Sequence, residues 1–170
     1  MTNPSNVDSR TDTVVRLEGD LDIVVERTVA APRDLVYRAY TDPEWMAQWW
    51  APDGFTMDIK QMDVRPGGVW HYCMRSKEWG DAWGKGTYTE VIPTERVAWI
   101  NAFSDEAGTS IPPESTMTAT LTADGARTTV VMRASYAKPE DRTLVLKMGM
   151  EEGIKEGTEK LVRLLERVQA

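Results

Sequence analysis

Six segments of strand character follow one another between residues 55 and 136, separated by turn residues and with no helical period among them. They run at about 55 to 64, 68 to 75, 83 to 92, 96 to 103, 115 to 123 and 127 to 136. Pro66-Gly67-Gly68, Gly80-Asp81, Pro93, Gly108 with Pro112-Pro113, and Asp124-Gly125 divide them. Parallel pairing needs a crossover of a dozen or more residues between strands, and none is available here. Consecutive strands therefore pair antiparallel, and the Asp124-Gly125 turn between two alternating runs marks one hairpin directly.

The pattern changes on either side of this block. Leu21, Ile23, Val25 and Val29 alternate with Asp22, Glu26 and Thr28, the period of a strand with one buried face. Two short helices follow, with Pro32 in the first turn of one and Asp42-Pro43 as N-cap and first residue of the next. A long helix is expected from about 140 to 169. On it Leu146, Met150, Ile154, Leu161, Leu164, Leu165 and Val168 share one stripe, while Glu152, Lys155, Glu159, Arg163 and Glu166 lie opposite. The resulting organisation is α+β, with a polar, flexible tail at 1–19 and a single domain at 20–170, a length one core can serve.

Alternation also assigns the strand faces. Trp70, Tyr72 and Met74 occupy the bulkier, less charged face of their strand and point inward, which turns His71, Cys73 and Arg75 outward. Val97, Trp99, Asn101 and Phe103 face inward on another strand, as do Met117, Ala119 and Leu121, and then Val130, Met132, Ala134 and Tyr136. Strand 83–92 turns Gly86, Tyr88, Glu90 and Ile92 inward, because Lys85, Thr87 and Thr89 suit solvent. A buried carboxylate needs a partner. Three outcomes are open for Glu90: an ion pair with Arg27 of the first strand, a bulge that returns it to water, or a polar anchor for a ligand.

All seven tryptophans fall between Trp45 and Trp99. In the final helix Gly149, Gly153 and Gly157 recur every four residues, although each costs about 1 kcal/mol relative to alanine. Either the helix packs closely on the sheet there, or the glycines leave room for a bound molecule.

Composition removes several function classes. A net charge of −7 opposes binding to nucleic acid or to an anionic membrane surface. No apolar run reaches the roughly 18 to 20 residues of a membrane span, and no secretory signal pattern opens the chain, so a cytoplasmic location is expected. The lone cysteine, Cys73, has no internal disulfide partner, and the lone histidine, His71, points away from the expected interior. No Ser/His/Asp or Cys/His set, no metal cluster and no cofactor motif can be assembled, so no catalytic, metal or cofactor residue is assigned. His71 and Cys73 read as structural.

Four stretches taken together, "LDIVVERTVAAPRDLVYRAYTDPEWMAQWWAP", "VRPGGVWHYCM", "GTYTEVIPTERVAW" and "GMEEGIKEGTEKLVRLLE", resemble the bacterial homologues of the carboxy-terminal domain of the heat-shock-protein-90 ATPase activator. That family lies within the START, Bet v 1-like and polyketide cyclase superfamily (SRPBCC). The resemblance covers roughly residues 20 to 169. It implies a helix-grip fold, a curved antiparallel sheet around a long C-terminal helix with two short helices after the first strand, enclosing a cavity for an apolar molecule.

Carried over by position, the resemblance places Trp49 and Trp50 near the cavity mouth, Trp70 and Tyr72 on its wall, Tyr88 and Trp99 on the next strands, and Met150 and Ile154 on the gripping helix. Met74, Trp83, Glu90 and Asn101 complete the candidate ligand-binding set. Many relatives carry Gly-Trp-Glu where this chain has Gly149-Met150-Glu151, and a flexible methionine in place of an indole alters the pocket. The function expected is binding of a small hydrophobic or aromatic ligand. The alternatives are a polyketide cyclase or dehydratase-like enzyme using Tyr72, Tyr88, Glu90 or Asn101, and a chaperone-modulating, stress-response partner presenting "SKEWGDAW". A homodimer is left open.

Overall fold

The computed structural model describes residues 12–170; residues 1–11 of the expected tail lie outside the described residues. The strands are β1 (Val14–Glu18), β2 (Asp22–Val29), β3 (Thr56–Met62), β4 (Val69–Ser76), β5 (Gly80–Ile92), β6 (Arg96–Ser104), β7 (Ser110–Asp124) and β8 (Arg127–Tyr136). The helices are α1 (Arg33–Thr41), α2 (Pro43–Met46), α3 (Pro139–Lys147) and α4 (Met150–Gln169). All strands join one antiparallel sheet in the order β1-β2-β8-β7-β6-β5-β4-β3. The sheet curves around α4, which gives the helix-grip fold.

The core lies between the concave sheet face and α4. Ile23, Trp70, Trp99, Met117, Leu161, Leu164 and Leu165 are fully buried there. Asp42 caps α2 as its sequence suggests, its carboxylate accepting from the Glu44 amide at 2.9 Å. Gly153 and Gly157 lie against the loop that follows α2. A Cβ on Gly157 would stand 3.0 Å from the Trp49 carbonyl oxygen, and one on Gly153 would meet Pro52. The helix packs closely on the Trp49–Pro52 loop rather than on the sheet, and Lys160 Nζ ties the same loop by donating to the carbonyls of Ala51 and Pro52 at 2.8 and 3.0 Å.

Several expectations need correction. The tail is not irregular to residue 19: Val14–Glu18 forms β1 on β2, and Arg142 of α3 holds the turn that follows by donating to the Gly19 and Asp22 carbonyls at 2.8 and 3.1 Å. The long helix is two helices. Gly149 adopts φ +87°, which ends α3 and lets α4 start in a new direction. Val168, expected on the apolar stripe, is exposed in the last turn. Pro112 and Pro113 do not break the strand before β7. They sit inside it, between the pairs Asn101↔Ser115 and Phe103↔Ile111, in a bulge where a missing N–H costs no ladder bond.

Glu90 is the clearest case. The β5–β6 register steps from Tyr88↔Trp99 to Glu90↔Ala98, so Thr89 is an extra residue and the faces invert beyond it. Glu90 therefore reaches solvent and pairs with Arg96 at 3.1 Å. Arg27 finds a different partner, Glu159 of α4, at 2.7 Å, linking the first long strand to the helix.

Candidate functional site

A cavity of about 390 Å³ lies between the sheet and the start of α4. Its wall on β4 and β5 is Tyr72, Met74 and Ala82; its floor on β6, β7 and β8 is Asn101, Ala102, Phe103, Pro113, Ser115, Met117, Met132 and Tyr136. Trp49, Trp50, Pro52 and Phe55 close one side, and Val145, Met148, Gly149, Met150, Gly153, Ile154, Gly157 and Thr158 supply the helical side. None of these lining residues is Asp, Glu, Lys, Arg or His.

Local sequence explains the shape. Two inward positions of β5 before its bulge are Gly84 and Gly86, which face Tyr72 and Trp70 across the ladder. Without side chains there, the Tyr72 ring lies over Gly84, and Trp70 and Trp99 meet over Gly86. β7 carries two extra residues between Ile111 and Ser115, opposite Ala102, and beside this bulge Asn101, Ala102 and Phe103 all line the cavity. Gly149 opens the helical side where an unbroken helix would cross.

Trp50 divides the cavity from an inner aromatic cluster. Its ring stands edge-on to Trp49, Trp70 and Trp99 at centroid distances of 5.4, 5.1 and 6.0 Å. Trp49 donates its indole N–H to the Ala39 carbonyl at 2.8 Å and is fixed by it. Among the described residues, Trp70 Nε1, Trp99 Nε1, Tyr88 Oη and Asn101 Oδ1 are buried polar atoms without a protein partner. Burial pushes the Tyr72 hydroxyl up to about 12, and raises Tyr88 and Tyr136 in the same direction, so these phenols are neutral donors at physiological pH.

Of the candidate set, Trp49, Trp50, Tyr72, Met74, Asn101, Met150 and Ile154 meet around the cavity. Trp70, Tyr88 and Trp99 lie behind Trp50 in the packed core. Glu90 is on the outside beyond the bulge. Trp83 is also on the outer face, stacked on His71 at 5.1 Å with Lys60 and Arg75 about its ring, because it follows the outward register of Cys73. Cys73 itself is buried, and that burial raises its thiol pKa. Ala102, beside the β7 bulge, and Met148, which the helix break brings in, line the cavity without a signal in the alternation. Ser115 and Tyr136 were legible from alternation.

The family model described as "Activator of Hsp90 ATPase homolog 1-like protein" matches residues 30–166. The chain belongs to this family. Among solved structures, this AHSA1-like chain is similar to protein Ms6760 from Mycobacterium smegmatis, with 27% identity over 90% of this chain and 96% of that one and a TM-score of 0.84. Protein NE0264 from Nitrosomonas europaea is 26% identical over 90% and 99% of the two chains, with a TM-score of 0.79. A protein from Arthrobacter aurescens shares the fold at a TM-score of 0.86 with 22% identity, covering 91% of each chain. No curated protein matches the chain. Among the described residues no helix is long and apolar enough to cross a membrane, and no group of three His, Cys, Asp or Glu residues could hold a metal ion.

Proposed function

We propose that this AHSA1-like chain is a binding protein for one small apolar or aromatic molecule, held between the sheet and α4. The observation that carries this reading is the cavity of about 390 Å³, within the range of small-molecule sites and lined by aromatic and aliphatic side chains with a few polar groups. A family that commonly binds hydrophobic ligands supports it. The polar groups at the cavity favour binding over proton transfer: Tyr72 titrates near 12, far from the neutral range a general acid or base needs. Native mass spectrometry of the purified protein, with tryptophan fluorescence titrations against apolar and aromatic compounds, tests the reading. A retained small mass or saturable quenching is expected, and neither being found would count against it.

Trp79 favours a second reading. It is 71% exposed at the β4–β5 hairpin tip, whose turn is ordered by Ser76 Oγ accepting from the Glu78 and Trp79 amides. An exposed indole on a fixed turn suits a protein partner, a chaperone included. A chaperone ATPase rate that the protein leaves unchanged would retire this reading.

A further inference from the structure

One row across the cavity floor is polar. Asn101 of β6 pairs with Ser115 of β7, and Ser115 pairs with Tyr136 of β8, so the three side chains stand side by side on adjacent strands. All three line the cavity. Ser115 and Tyr136 are 4% and 5% exposed, and the Asn101 Oδ1 is buried with no partner. The Tyr136 hydroxyl donates to the Met150 thioether at 3.3 Å, a weak acceptor, and lies within hydrogen-bond reach of Ser115. Neighbouring strands lie about 5 Å apart, so the row spans about 10 Å of an otherwise apolar surface.

We infer that this row reads a single neutral hydroxyl group on the ligand, an alcohol or a phenol on a compact apolar body. The inference rests on the cavity-binding reading above and specifies its ligand. A hydroxyl both donates and accepts. It satisfies the Asn101 Oδ1 as a donor, and its oxygen accepts from Ser115 or from Tyr136, which gives up sulfur for a stronger acceptor. A carboxylate only accepts. The lining offers it hydrogen-bond donors but no cation, so the desolvation of its charge would go uncompensated. An ammonium would find no anion. A pure hydrocarbon would enter but leave the Asn101 oxygen unsatisfied, and sites built around a polar group discriminate strongly against analogues that lack it.

Three probes with one ring system separate the possibilities: 2-naphthol, 2-methylnaphthalene and 2-naphthoate, titrated at neutral pH by tryptophan fluorescence and calorimetry. The expected order places 2-naphthol at least tenfold tighter than 2-methylnaphthalene, and 2-naphthoate weakest. In Asn101→Leu and, separately, Ser115→Ala, the naphthol advantage falls toward unity while 2-methylnaphthalene still binds; the serine variant guards against a folding defect in the first. Equal affinity for naphthol and methylnaphthalene, or tightest binding of the carboxylate, overturns the inference and leaves the cavity reading standing. Absence of binding by all three overturns both.

Discussion

Gly84 lies directly beneath the ring of Tyr72 on the neighbouring strand, so close that a Cβ at Gly84 would stand 2.5 Å from the tyrosine Oη and 2.8 Å from Cε2. Tyr72 is buried, with little room to retreat. The glycine thus lets an aromatic wall lie flat on the sheet, and the cavity begins on its other side. Gly84→Ala is expected to destabilise the fold by about 1–3 kcal/mol through overpacking. In a Tyr72→Ala background the same change should cost almost nothing, and a double-mutant cycle measured by chemical denaturation reads the difference.

Trp50 forms the partition between the cavity and the inner indoles of Trp70 and Trp99. Trp50→Ala should enlarge the cavity toward them and admit bulkier ligands. Because Trp50 is only partly buried, the loss of stability should fall near or below the low end of the roughly 3–5 kcal/mol typical of core tryptophan truncation. Binding affinities for a size series of aromatic compounds, together with a melting curve, check both parts.

The tyrosines predict a response to alkali. Tyr72 titrates near 12 in the folded chain, and burial raises Tyr40, Tyr88 and Tyr136 as well, against an unfolded value of about 10. Below pH 10 both states keep their phenolic protons and stability is unaffected. Above it the unfolded chain releases protons that the folded chain retains, so stability falls with rising pH at about 1.4 kcal/mol per pH unit for each such tyrosine. Equilibrium unfolding at pH 9, 10 and 11 should show a steepening loss, and a flat profile would contradict the burial.

Glu90 provides a negative prediction. With its carboxylate exposed and paired to Arg96 at 3.1 Å, Glu90→Gln should alter stability by no more than about 0.5 kcal/mol and leave ligand affinity unchanged. Denaturation and the same binding titrations measure both. A tenfold change in affinity would place Glu90 back at the cavity.

How far the sequence was legible follows from these same residues. The seven strands β2 to β8, their antiparallel pairing and the inward set of Tyr72, Asn101 and Tyr136 rest on a period of two, which needs no tertiary information, whereas β1 lay in the stretch read as a tail. The same rule failed at Glu90, where one extra residue in β5 inverted the face, and it did not bring Ala102 to the cavity, which it lines beside the bulge in β7. A bulge leaves no mark in hydrophobic alternation strong enough to locate it. Trp70 and Trp99 were correctly inward but lie behind Trp50, since period-two patterning says which face a residue occupies and not how deep it sits. The Gly149 break was hidden because Leu146 and Met150 continue one apolar stripe through it. Only the glycine's own cost in a helix pointed there.

Ligand binding requires an open cavity at the start of α4, and Met150 sits on its helical side. The most direct test titrates the neutral probe N-phenyl-1-naphthylamine into the native chain and into Met150→Trp, following the rise of probe fluorescence in a dry site. Saturable one-site binding that weakens at least tenfold in the folded tryptophan variant, whose indole fills the space, is the result expected. No saturable signal in the native chain, or equal binding by both proteins, would contradict it.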